Sequence, residues 1–143
     1  MAPVDHIYIP DDCWQIMLTH VSEGVPEEAC GLLGGIIRED RYQAIEAIPT
    51  VNILHSTERY QVAPQEQLQA FVHFEAQSLE LVAIYHSHPR GPEAPSPTDI
   101  AEAYYPETVY LIWSSQGVEW KCRGFLIQRG QVREIKVFRV TLA

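Results

Sequence analysis

With 143 residues, 46% hydrophobic and 20% charged, the chain has the size and composition of one globular domain with a single core, neither disordered nor fibrous. Nineteen acidic against ten basic residues leave a formal charge of -9, which argues against a nucleic-acid phosphate backbone as the main partner. No apolar run approaches the length needed to span a bilayer, and Cys13, Cys30 and Cys122, an odd number with no C-x-x-C pair, read as buried small hydrophobes rather than a disulfide framework.

The opening Met1-Ala2-Pro3-Val4-Asp5-His6 is mixed and carries an acid, so it lacks the n-region and h-region of a secretory signal, and a soluble cytoplasmic protein is expected. Residues 6–9 read as a short strand. Pro10-Asp11 then opens a helix with Cys13, Ile16, Met17, His20 and Val21 on one face, His20 being read as a satisfied core histidine and not a ligand. Residues 30–37 and 42–48, joined across Arg38-Glu39-Asp40-Arg41, form a strand pair. Pro64 introduces a second helix with Leu68, Phe71, Val72 and Ala76 as its apolar stripe and His73 off the stripe, in solvent.

Residues 81–85 are a continuous apolar run, as expected for a strand covered on both faces. The run delivers Tyr85-His86-Ser87-His88-Pro89 at the edge of the core. Side chains alternate along an extended segment, so His86 and His88 project to one face, close enough for two imidazoles to grip one cation. The three prolines and the glycine of Pro89-Arg90-Gly91-Pro92-Glu93-Ala94-Pro95 forbid regular structure and form a stiff arch leading to Ser96-Pro97-Thr98-Asp99. There serine stands at an N-cap, proline at the first helical position and an acid three residues after the cap, so a short helix through 100–104 follows.

Taken alone, Ser96 and Asp99 read as a capping box. Beyond the histidine pair and the arch, Asp99 is in reach of the same cation, and two imidazoles with one carboxylate are a zinc set that leaves a fourth position for water. A hydrolytic site of that kind also needs a base that is not a ligand. Glu27 and Glu28 are the upstream candidates, although as a sequence they could equally be two solvated acids in a loop. Residues 109–113 are another buried strand, and 119–127 with 132–140 form a terminal hairpin turning at Arg129-Gly130. The element order is β-α-β-β-α-β-α-β-β-β, an α/β (α+β) single domain with helices packed on a mixed sheet.

Glu28 three residues before Gly31, then His86-x-His88, ten residues and Asp99, with Ser96 three before the aspartate, resembles the signature of the JAMM (MPN+) zinc metalloprotease family. Gly31-Leu32-Leu33-Gly34, Asn52, the stretch from Tyr60 to Pro64 and Tyr105-Pro106 extend the likeness to the family's small, free-standing prokaryotic members, over nearly the whole chain. The resemblance implies a single domain over 1–143 with a cytidine-deaminase-like mixed sheet flanked by helices. It implies that His86, His88 and Asp99 bind Zn2+, that Glu28 holds the water in the fourth position and moves its proton, and that Ser96 donates to the tetrahedral oxyanion. The implied activity is hydrolysis of peptide or isopeptide bonds after the Gly-Gly tail of ubiquitin-like or sulfur-carrier β-grasp proteins, with neither nucleic acid nor membrane as partner. Pro95 stands before Ser96 where a larger apolar residue is expected, which bears on substrate preference.

Other readings fit less of the chain. A cupin-type barrel also uses H-x-H followed four residues later by glutamate, here Glu93, but its expected glycines are Glu80 and Ile100. A zinc deaminase needs P-C-x-x-C and a glutamate two after its metal histidine; this chain has no P-C-x-x-C, and neither His86 nor His88 is followed by that glutamate. A noncatalytic scaffold of the same fold would have lost metal ligands that this chain retains.

Overall fold

The chain begins in β1 (His6–Pro10) and α1 (Asp11–Gly24), then runs through β2 (Cys30–Ile37), β3 (Tyr42–Thr50) and α2 (Pro64–Ala76). It continues through β4 (Glu80–His88), α3 (Pro97–Ala101), β5 (Val109–Ser115), β6 (Trp120–Gln128) and β7 (Gln131–Val140). The computed structural model describes residues 4–141; residues 1–3, part of the stretch read above for a targeting signal, and 142–143 lie outside the described residues. Among the described residues no helix is long and apolar enough to cross a membrane.

The expected mixed α/β sheet is present, and it also closes on itself in the order β1-β3-β2-β4-β5-β6-β7. Closure comes from β1, which pairs in parallel with both β3 and β7, placing Ile7 opposite Tyr42 on one side and Val137 on the other. A strand bonded on both sides leaves no open edge.

Alternation along the strands divides the core between two helices. Ala83, Tyr85, Leu111 and Trp113 join Cys13, Met17 and Val21 of α1 in one cluster. Ile84, Tyr110, Ile112 and Phe125 join Ala70 and Phe74 of α2 in the other. His86 and His88 follow Ile84 at period two, so the histidine pair lies on the α2 side, at the carboxyl end of β4.

Two glycines of β2 decide how closely the layers approach. A Cβ on Gly31 would run into the ring of Tyr85, and one on Gly34 into the ring of Phe74. Gly34 also sits at the register shifts against β3 and β4, a bulge that lets α2 seat its phenylalanine.

Several expectations need correction. The buried stripe of α2 is Ala70 and Phe74 with half-buried Phe71, whereas Leu68 and Val72 are 64% and 60% exposed and Ala76 also faces solvent. On α1, Ile16 is exposed while Cys13, Met17 and Val21 are buried. Helix α3 ends at Ala101, short of the expected 104. Cys13 and Cys30 are buried, Cys122 is half-buried, and all three are free thiols. Two readings hold: His20 is satisfied, half-buried with its Nδ1 2.6 Å from the Tyr85 hydroxyl, and His73 is exposed beside Glu46.

Candidate metal centre

Strands β4 and β5 are parallel, so the chain leaving β4 must cross back before β5 begins. That crossover is the proline arch and α3, which carries Asp99 to the end of the strand holding the histidines. Gly91 makes the first turn, its N–H donating to the His88 carbonyl at 2.9 Å with φ at 76°, a conformation suited to glycine. The other side of the site comes from the residues before β2. Antiparallel pairing sets Cys30 opposite His86 and continues through the Ser87 N–H to Ala29 carbonyl bond at 3.0 Å, which brings Glu28 level with His88. The Ser87 hydroxyl, on the opposite face from the histidines, accepts from the Ala29 N–H at 2.8 Å.

His86 Nε2, His88 Nε2 and Asp99 Oδ2 form a triangle with each side 3.1 Å. The His88 Nδ1 lies 2.8 Å from the Pro92 carbonyl oxygen, which can only accept, so Nδ1 carries the proton and a neutral His88 turns its Nε2 lone pair inward. Two imidazole nitrogens and a carboxylate oxygen thus converge with too few protons to satisfy one another. Ligands around a tetrahedral zinc at roughly 2.0–2.2 Å stand about 3.3–3.6 Å apart, so the triangle suits that ion within a few tenths of an ångström. One Glu28 carboxylate oxygen also lies within 4.8 Å of the two histidine nitrogens. Asp99 completes the tighter set, because its oxygen contacts both nitrogens directly.

The capping reading and the ligand reading of Asp99 coexist. Ser96 Oγ accepts from the Asp99 N–H at 3.0 Å and the Ser96 N–H donates to Asp99 Oδ2 at 2.9 Å, both arms of a capping box. Ser96 therefore starts α3 with its side-chain oxygen as well as its backbone, and its hydroxyl proton remains available to a substrate.

Burial and charge oppose each other here. Burial pushes the Asp99 carboxyl up, but contacts with His86 and His88 and the Ser96 N–H outweigh it and hold the group well below the usual carboxylate range. Burial lowers His86 against the pull of Asp99. At His88 burial also lowers, but the Asp99 and Pro92 hydrogen bonds prevail and raise it. Glu28 is 4% exposed, and its Oε1 has no hydrogen-bond partner among the described residues. Burial, opposed by His88 and reinforced by Asp99 and Glu58, pushes its carboxyl up to about 8. Such a carboxyl gives and takes a proton near neutral pH.

Two grooves flank the centre. One of about 410 Å³ is lined by Pro26, Glu28, Glu58, His88, Arg90 and Ser96. The other, about 390 Å³, lies between residues 51–63, the start of α2 and the segment after α3, with Leu54, Tyr60, Tyr104, Tyr105 and Tyr110 in its wall. The Arg59–Glu102 ion pair, 3.0 Å, joins its two rims.

All five residues singled out in the sequence, Glu28, His86, His88, Ser96 and Asp99, meet at this one place. Two neighbours were given no role. Asn52, buried, spends its whole amide: Nδ2 donates to the carbonyls of Glu28 at 2.9 Å and Arg59 at 3.0 Å, and Oδ1 accepts from the N–H groups of Leu54 at 3.1 Å and Gln61 at 3.0 Å. The Tyr60 ring, framed by those bonds, stacks on His86 with centroids 4.3 Å apart and planes at 20°. Both lie in the stretch that carried the family likeness, but nothing in their local sequence states what they touch.

Residues 10–123 match a family model described as prokaryotic homologues of the JAB domain. The chain is 36% identical over 126 residues to a probable TtuB-protein conjugate cleaving protease of Thermus thermophilus, covering 87% of this chain and 78% of that one. It is 33% identical over 111 residues to a desampylase of Haloferax volcanii, covering 74% and 78%. With a CysO-cysteine peptidase of Mycobacterium tuberculosis it shares 32% over 129 residues, covering 90% and 87%. The solution structure of a protein from Desulfitobacterium hafniense superposes with a TM-score of 0.86 at 31% identity, covering 95% of this chain and 94% of that one.

Proposed function

The chain belongs to the prokaryotic JAB-domain family of JAMM (MPN+) peptidases, and from that premise we propose that it is a zinc-dependent hydrolase cutting peptide or isopeptide bonds after the Gly-Gly tail of a ubiquitin-like or sulfur-carrier β-grasp protein. The observation that carries the reading is the 3.1 Å triangle of His86, His88 and Asp99 with Glu28 buried beside it. His86, His88 and Asp99 would hold the ion. A zinc ion there supplies Lewis acidity and brings the pKa of water down towards about 7.

The rest of the chemistry falls to the chain. Glu28, buried beside the ligand set and kept in its charged form by a cation there, accepts the proton of the attacking water and returns it to the departing amine. On this reading the leaving group lies in the groove that Glu28 lines. Ser96 donates its hydroxyl proton to the oxygen on which charge develops. The names of the relatives support the substrate class: one is named a probable TtuB-protein conjugate cleaving protease, another a CysO-cysteine peptidase. The same proposal takes 1–143 as one functional domain, its sheet as the cytidine-deaminase-like type, and the cytoplasm as its compartment.

The test offers zinc-loaded protein a β-grasp carrier extended beyond Gly-Gly and follows intact mass. Loss of the extension, abolished in Glu28→Gln with zinc still bound, supports the proposal. Stoichiometric zinc without cleavage of any such carrier would sink the substrate reading and favour a noncatalytic module.

A further inference from the structure

The two metal-facing histidines are held by different means. His88 is anchored through its outer nitrogen, Nδ1, on the Pro92 carbonyl at 2.8 Å. His86 has no such anchor: its Nδ1 is buried and finds no hydrogen-bond partner among the described residues. Metal-binding histidines nearly always fix their ring plane by donating the outer N–H, so His86 needs another device to keep Nε2 on the triangle. The Tyr60 ring lies almost parallel to the His86 ring, 4.3 Å between centroids and 20° between planes. An imidazole turning about its Cβ–Cγ bond would sweep an edge into that ring.

We propose that Tyr60 is the positioning residue for His86, holding the imidazole by face-to-face stacking where His88 is held by a hydrogen bond. The inference rests on the metal reading of the site. Tyr60 is itself well fixed. Asn52 accepts from the Gln61 N–H and donates to the Arg59 carbonyl, 3.0 Å each, gripping the backbone on both sides of the tyrosine. A third bond of the same amide, 2.9 Å to the Glu28 carbonyl, ties the tyrosine and the glutamate to one frame. Since stacking uses the ring and not the phenol, phenylalanine should serve equally well. Because Tyr60 also walls the 390 Å³ groove, it is the partition between that groove and the ligand set.

The experiment uses metal-free wild type, Tyr60→Phe, Tyr60→Leu and Tyr60→Met. Zinc affinity is measured by competition with a chromophoric chelator, and the His86 ring-proton shifts by NMR without metal. We expect Tyr60→Phe within about threefold of wild type, and Tyr60→Leu and Tyr60→Met weaker by about 10- to 100-fold. The His86 ring protons should be shifted upfield by the stacked ring in wild type and Tyr60→Phe, and lose that shift in the other two. A folded Tyr60→Leu or Tyr60→Met that binds zinc as tightly as wild type overturns the proposal. So does a wild-type His86 without the upfield shift, a result that stands even if both aliphatic variants fail to fold. Wild type that takes up no zinc at all would instead refute the proposed function, and the ring-current shift would still report on the stack.

Discussion

Replacing Glu28 by glutamine should disable cleavage and, without metal, stabilise the fold at alkaline pH. Glu28 is 4% exposed, its Oε1 has no hydrogen-bond partner among the described residues, and burial raises its pKa from 4.5 to about 8. Between those values the folded protein keeps a proton that the unfolded chain has released. Stability therefore falls as pH rises through the window, is unaffected below about 4.5 where both states are protonated, and levels off above about 8. The gap sets an upper limit of about 5 kcal/mol. Water reaches the carboxylate from the groove, so we expect about 2 to 3 kcal/mol.

Urea unfolding of metal-free wild type and Glu28→Gln from pH 5 to 8.5 isolates the effect, since His86, His88 and Asp99 titrate in both proteins. The two should be near equal at pH 5, with the variant more stable at pH 8. In the zinc-loaded protein the slope should shrink, because a cation beside the carboxylate favours its charged form. Activity should drop by about 10²- to 10⁴-fold with zinc stoichiometry unchanged. Parallel stability curves would show that Glu28 ionises freely in the fold, and undiminished cleavage would remove it from proton transfer.

Ser96→Ala should lower kcat by about 10²- to 10³-fold with zinc retained, and cost about 1 kcal/mol through the lost cap; Ser96→Thr should restore the cap, and a Ser96→Ala enzyme of wild-type kcat would exclude the oxyanion role. In Asn52→Ala four hydrogen-bonded backbone groups lose their partner, so urea unfolding should register a loss of about 2 to 4 kcal/mol and the weakened hold on Glu28 a lower kcat; a shift under half a kilocalorie would mean that water replaces the amide at little cost. Gly31→Ala forces a methyl against the Tyr85 ring, and chemical denaturation should show at least about 2 kcal/mol of destabilisation, whereas an unchanged midpoint would mean that the tyrosine has room to move.

The order of elements was legible because apolar runs of period two and period 3.6 alternate between clear turn signals. The face of α2 was not. Leu68, Val72 and Ala76 repeat every four residues as a core stripe should, yet Ala70 and Phe74 do the same. What selects between them is the notch at Gly34, a feature of another strand's bulge. The end of α3 was missed for a similar reason: beyond Ala101 the chain is committed elsewhere, with the Tyr105 N–H donating to the Tyr110 hydroxyl and the Tyr105 hydroxyl accepting from Gln67. At the site, alternation alone put His86 and His88 on one face, and cap chemistry placed Asp99. Glu28 needed the family likeness. Tyr60 and Asn52 depend on how residues 51–63 fold back, which neither periodicity nor composition encodes.

Asp99 shows why two sequence readings that looked like rivals were one arrangement. The same oxygen that accepts from the Ser96 N–H contacts both histidine nitrogens, so the bond that starts α3 also aims that oxygen at the histidine pair. A helix of five residues has no stability of its own. Its placement comes from the cap, from the arch and from the His88–Pro92 bond. Each of the three donors is thus aimed by a different device: Asp99 by a backbone N–H, His88 by a carbonyl, His86 by the tyrosine stack. Without a cation the Asp99 carboxylate is held by hydrogen bonds to the two histidines. A metal ion would have to displace the proton those groups share, so its binding should be coupled to folding and to pH, with a stabilisation that grows with the logarithm of free metal concentration.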